Sequence, residues 1–111
     1  MSLNKKRTLK TVKIDHAANG VNEIVAAVTG KKIKVYSVVL VVTGAVTCEW
    51  SSAANKLSGC MSFAANGDGY AAAVNPPAFL METVAGEALN LYLGAAVAVD
   101  GMIAYWDDDT N

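Results

Sequence analysis

Apolar and polar residues alternate along most of this chain, and the alternation restarts after nearly every glycine. Val12 and Ile14 alternate with Thr11, Lys13 and Asp15, so Leu9 to Asp15 predicts a first strand, its lysines suited to a sheet edge. His16 to Gly20 predicts a turn, because Asn19-Gly20 accepts positive φ angles. Glu23 to Val28 predicts a short strand closed by the Thr29-Gly30 turn. Ile33 to Val42 opens with alternation and ends in the unbroken run Val38-Val39-Leu40-Val41-Val42. That change is the pattern of a strand covered on both faces at its far end, by its own fold or by another subunit.

Ala45 to Ser51 alternates again, with Val46, Cys48 and Trp50 opposed to Thr47 and Glu49. Ser52 to Lys56 predicts a polar loop, and Leu57 to Ala64 a strand with Leu57, Met61 and Phe63 on one face. Asn66 to Gly69 is a turn, and Pro76-Pro77 interrupts any regular pairing. Ala71-Ala72-Ala73 has the composition of a helical turn, but flanking Gly and Pro leave it no room to grow. Phe79 to Val84, Ala88 to Leu93 and Ala96 to Trp106 complete the strands. About eight strands joined by loops predict an all-β antiparallel sandwich.

The chain also repeats itself. Val28-Thr29-Gly30-Lys31-Lys32-Ile33-Lys34-Val35-Tyr36 is echoed by Val84-Ala85-Gly86-Glu87-Ala88-Leu89-Asn90-Leu91-Tyr92, 56 positions on (84 − 28). Each copy runs into an apolar stretch, a second Gly turn (Thr43-Gly44, Asp100-Gly101) and a strand ending in Trp50 or Trp106. The sandwich is therefore expected to consist of two similar halves. Its domain spans residues 12–106, after a basic arm of residues 1–11 and before an acidic tail of residues 107–111.

The cysteines pose a question of register. A symmetric hairpin about Ala54 sets Cys48 opposite Cys60, close enough to bridge. A slip of one residue instead gathers Val46, Cys48, Trp50, Met61 and Phe63 on one apolar face, which buries more. The slipped register predicts no disulfide, with Cys48 and Cys60 both free.

Composition narrows the class. Hydrophobic residues make up 53% of the chain and charged residues 17%, so a single domain must expose apolar surface or bury it against a partner. A homo-oligomer is expected. The net charge of −1 argues against nucleic acid as the main target, because phosphate binding needs a basic surplus. No apolar run is long enough to span a bilayer, and the basic N-terminal residues lack the apolar stretch of a secretory leader. Folding in a cytoplasm, with no membrane partner, is expected. Eight of the nine basic residues nevertheless fall within the first 34 positions, and seven of the ten acidic residues follow Lys56. Lys5, Lys6, Arg7 and Lys10 form a candidate partner-binding arm, against the plainer expectation of a solvated terminus.

Catalytic chemistry finds no support. His16 is the single histidine, Cys48 with His16 as its base lacks a third group and a pocket, and Asp107-Asp108-Asp109 lacks the spaced ligands of a calcium loop. No catalytic residue, cofactor or metal is expected. Trp50, Tyr36, Tyr92, Tyr105 and Trp106 lie on or beside strands, where they either fill the core or offer flat faces to a sugar or a protein.

A resemblance enters through strands and turns. Asn22 to Val28, Gly30 to Val35, Ala64-Ala65-Asn66-Gly67, Gly86 to Leu91 and Val99 to Tyr105 together resemble small tailed-phage and prophage virion structural proteins. The likeness spans roughly residues 12–106 and carries no invariant chemistry. It implies a jelly-roll or tumour-necrosis-factor-like sandwich, made in the bacterial host cytoplasm and carried on the virion. The particular role it implies is a capsid decoration (cement) subunit working as a homotrimer on capsid or tail proteins. Candidate interface residues are Val39, Val41, Tyr92 and Leu93. The alternative is a fibre-tip or carbohydrate-binding module using Trp50, Tyr70 or Trp106.

Overall fold

In the computed structural model, residues 8–109 are described, and they form ten strands and no helix. In chain order the strands are β1 (Lys10–His16), β2 (Gly20–Val25), β3 (Lys31–Val42), β4 (Val46–Ser52), β5 (Asn55–Lys56), β6 (Met61–Phe63), β7 (Gly69–Ala73), β8 (Met81–Glu82), β9 (Leu89–Leu93) and β10 (Val99–Asp109). One sheet has the order β1-β10-β3-β7, with β8 sharing the β3 edge. The other has the order β2-β9-β4-β5, with β6 sharing the β4 edge. Each sheet is thus four strands wide, and every pairing is antiparallel. The chain steps between sheets from β1 to β2, β3 and β4, and again from β8 to β9 and β10. This is a jelly roll.

The repeat has a structural meaning. Moving by 56 residues turns β3 into β9 and β4 into β10, so the β3–β10 pair of one sheet corresponds to β9–β4 in the other. The registers agree as well, up to the shift between Ala104 and Tyr105. Ala104 opposes Ser37 in the first sheet, and Cys48 opposes Leu93 in the second, each residue displaced by 56 (104 − 48, 93 − 37). Gly30 and Gly86 occupy matching turns with φ of 76° and 80°. The Lys31 amide donates to the Val28 carbonyl, and the Glu87 amide to that of Val84, both at 3.1 Å. These are turns whose third residue needs positive φ, which glycine adopts without strain.

The sandwich closes over side chains from both sheets. Ile14, Ile33, Val35, Val38, Leu40, Val42, Val99 and Ile103 come from the first, and Ile24, Val46, Cys48, Trp50, Leu89, Leu91 and Leu93 from the second. Their burial removes apolar area from water, the main drive to fold. Within β3 the buried phase changes from Ile33 and Val35 to Val38, Leu40 and Val42. A bulge does this: Ser37 opposes Ala104 and Val35 opposes Tyr105, leaving Tyr36 as the extra residue. The run Val38 to Val42 is therefore an alternation. The fold covers only one of its faces, for Val39 and Val41 are each 41% exposed.

Several boundaries differ from those read in the sequence. Lys10 already belongs to β1, and Asp107 to Asp109 continue β10 as a strand rather than leaving as a tail. Asp107, Asp108 and Asp109 oppose Ile33, Lys32 and Lys31, so ladder hydrogen bonds hold this acidic segment beside the basic start of β3. Lys5, Lys6 and Arg7 lie outside the described residues. Ala71-Ala72-Ala73 is extended, because β7 pairs with Ser37 to Val41. The Cys48 register is the slipped one: Cys48 opposes Met61, and Val46 opposes Phe63.

Gly101 marks the tightest approach in the first sheet. Its φ is 151°, and a Cβ there would overlap the Val39 carbonyl. Gly101→Ala is expected to lower stability by roughly 3 kcal/mol, read as a Tm decrease of at least about 10 °C by calorimetry. Gly59→Ala, where no atom stands within 4 Å of the added carbon, is expected to stay within about 0.5 kcal/mol of the parent.

Candidate functional site

The two outer faces of the sandwich differ in chemistry, and alternation decides which side chains each displays. On the first sheet, strand register places Lys13, Met102, Val39 and Ala71 in one row across four strands. A second row runs Thr11, Ala104, Ser37 and Ala73, and a third Asp15, Asp100, Val41 and Gly69. The middle of this face is apolar: Met102 is 44% exposed, beside Val39 and Val41. Charged residues border it, with Lys13, Asp15 and Asp100 on one side. The second sheet shows Glu23, Glu49, Thr47 and Ser62 outward instead, with Val21 and Tyr92 as the apolar members. Lys56 reaches Glu49 at 3.6 Å and lies 4.6 Å from the centre of the Tyr92 ring.

Four residues were expected to share an interface, and the structure separates them. Val39 and Val41 stand together on the first sheet's outer face. Tyr92 is on the outer face of the other sheet, opposite Val21 and Glu49. Leu93 is fully buried in the core, because neighbours in a strand point to opposite faces, so it cannot line a subunit surface. Met102 is the residue that sequence reasoning missed. Alternation from Val99 to Ile103 already set it opposite the core-facing positions.

The expected arm is corrected in part. Lys10 donates to Asp107 of the same chain at 2.9 Å, and Lys31 stands 3.8 Å from the other Asp107 oxygen. The hydrogen bond to Asp107, and then its charge, raise the Lys10 pKa. Lys32 and Lys34 both stand 3.8 Å from Glu82. Opposite charges far apart in sequence thus meet at one end of the first sheet. Exposed pairs of this kind add little stability and fix register more than energy.

The aromatics are mostly inward. Trp50 and Trp106 are each 1% exposed, so neither indole offers its face to a sugar. The Trp50 indole donates to the Tyr70 hydroxyl at 2.7 Å, and Tyr70 stacks on Phe63 with centroids 6.4 Å apart. Burial raises the Tyr70 pKa. Trp106 lies beside Tyr36, 5.8 Å between ring centres. Where the two sheets part at the β7 and β6 edges, a cleft of about 190 Å³ opens, lined by Val38, Trp50, Leu57, Met61, Tyr70 and Leu80 among others.

Among the described residues no group of three or more His, Cys, Asp and Glu side chains could hold a metal ion. Comparison with known protein families, with curated proteins and with solved structures finds no match to this chain.

Cys48 is buried and Cys60 exposed, and neither is bridged. Burial, reinforced by the neighbouring Cys60, pushes the Cys48 thiol up to about 11. A thiol reagent at pH 8 is expected to modify one cysteine per native chain, at position 60, and the second only after unfolding; two fast thiols would contradict the burial. Once unfolded, the Cys48 thiol ionises near its ordinary value of 9, whereas in the fold it stays protonated to higher pH. Stability from this group is intact below pH 9 and falls as pH rises from 9 towards 11.

Proposed function

We propose that this protein is a structural subunit of phage descent that decorates a virion capsid as a homo-oligomer, a trimer in the favoured arrangement. The observation that carries this reading is the contrast between the outer faces: one mostly polar apart from Val21 and Tyr92, the other grouping Met102, Val39 and Val41 at its middle. Apolar patches bounded by charge mark interaction surfaces on otherwise soluble domains. The jelly roll and the likeness of its strands and turns to small phage virion proteins support the same reading. A second apolar surface, Phe79, Leu80 and Val84 beside β8, is 40%, 38% and 53% exposed. Two unlike patches suit a ring, in which each subunit gives one surface and receives the other, whereas a two-fold dimer needs one self-matching patch. The work such a subunit does is mechanical: it clamps neighbouring capsid proteins and needs no chemistry. The sugar-binding alternative loses two of its three platforms to burial.

The test is solution mass by light scattering on a sizing column, for the parent and for Val39→Asp combined with Val41→Asp. The parent is expected as a trimer that persists in high salt, since an apolar interface is not screened. Two carboxylates buried in that interface are expected to weaken assembly by roughly a hundredfold or more, giving a folded monomer. A monomeric parent removes the proposal, and a double variant that stays assembled removes this face from it.

A further inference from the structure

One edge of the first sheet is left open in a way its opposite edge is not. β1 carries Lys10, Lys13 and Asp15, charges that discourage another strand from pairing there. β2 carries Glu23, and the β5 segment carries Lys56. β7 reads Gly69-Tyr70-Ala71-Ala72-Ala73, with no charge and no proline. Its pairing with β3 fixes which backbone groups are spent. The Val42 amide donates to the Asp68 carbonyl and the Val74 amide to the Tyr36 carbonyl, each at 2.8 Å. By the alternation of an antiparallel ladder, Tyr70 and Ala72 bond to β3, while the N–H and C=O groups of Ala71 and Ala73 point outward. The cleft adjoins this edge: Tyr70 and Ala72 form its β7 wall, and Trp50, Leu57, Met61 and Leu80 complete the lining.

We propose that the β7 edge and this cleft form a strand-addition site for an extended peptide segment with a leucine-sized apolar side chain. Main-chain hydrogen bonds to Ala71 and Ala73 extend the sheet by one strand. The alternate side chain drops between the sheets, which is how strand-addition sites combine affinity with selectivity. The occupant is a segment of another protein. A second copy would present its own β7, whose Tyr70 and Ala72 already face their own cleft, and the cavity of about 190 Å³ would stay unfilled. The site does not rest on the virion reading.

The experiment is a titration of the isotope-labelled protein, followed by amide NMR, with a short capped peptide alternating threonine and leucine. Saturable shifts are expected at the Ala71 and Ala73 amides and at the Trp50 indole N–H. A peptide alternating threonine and lysine is expected to bind about tenfold more weakly or worse. Ala71→Pro removes an outward N–H and no ladder bond, so it is expected to keep its Tm and lose the shifts. Absence of shifts with the leucine peptide overturns the proposal, as does unchanged binding by folded Ala71→Pro. Shifts at the same amides that follow protein concentration without peptide also overturn it, since the occupant is then a second copy.

Discussion

The ladder between β3 and β10 is the constraint on which the rest of this structure depends. Every residue of β10 has a partner on β3, and β10 alone joins β1 to its sheet. The pairing strands lie far apart in sequence, so the loop they close costs entropy before any contact repays it. Sheet and core must therefore form together: without β10 the inward side chains of Val99 and Ile103 are missing, and β1 has no neighbour. The features of this ladder follow from that role. Gly101 lets the two backbones come close, the Tyr36 bulge resets the inward phase, and the acidic segment lies against the basic one.

The internal two-fold relation explains why so short a sequence specifies two sheets. One pattern, a Gly turn leading into an alternating strand and then a strand carrying Trp, occurs twice, and each copy gives one strand to each sheet. The copies have diverged on their outward positions. Lys32 and Lys34 in the first correspond to Ala88 and Asn90 in the second, while the inward positions stay apolar. A packed interior requires the inward set to be apolar, whereas the outward set carries no such requirement.

Strands whose two faces differ sharply were legible in the sequence. β1, β3, β4 and β9 all fall within a few residues of their expected places, because alternation is a direct record of inside and outside. The register of Cys48 was legible for the same reason: only one choice buries Met61 and Phe63. Less could be read where side chains carry no such contrast. Alanine at 71–73 has neither bulk nor polarity to mark a strand, and β7 exists because Ser37 to Val41 offers it partners. Leu57 to Ala64 shortens to β6, since the Leu57 and Ser58 amides turn back to the Trp50 carbonyl. Of the candidate site, Val39 and Val41 were visible as part of an apolar run. Leu93 was misplaced against the rule of alternation itself, and the joining of lysines to distant Asp107 and Glu82 is a long-range pairing that no local pattern records.

The first and last strands lie side by side and run in opposite directions, with Lys10 beside Tyr105. The polypeptide therefore enters and leaves the sandwich at one corner. A domain with this geometry is a cassette: it can be spliced into a surface loop of a larger protein, both junctions meeting the host at one point and neither half of the host being pulled apart.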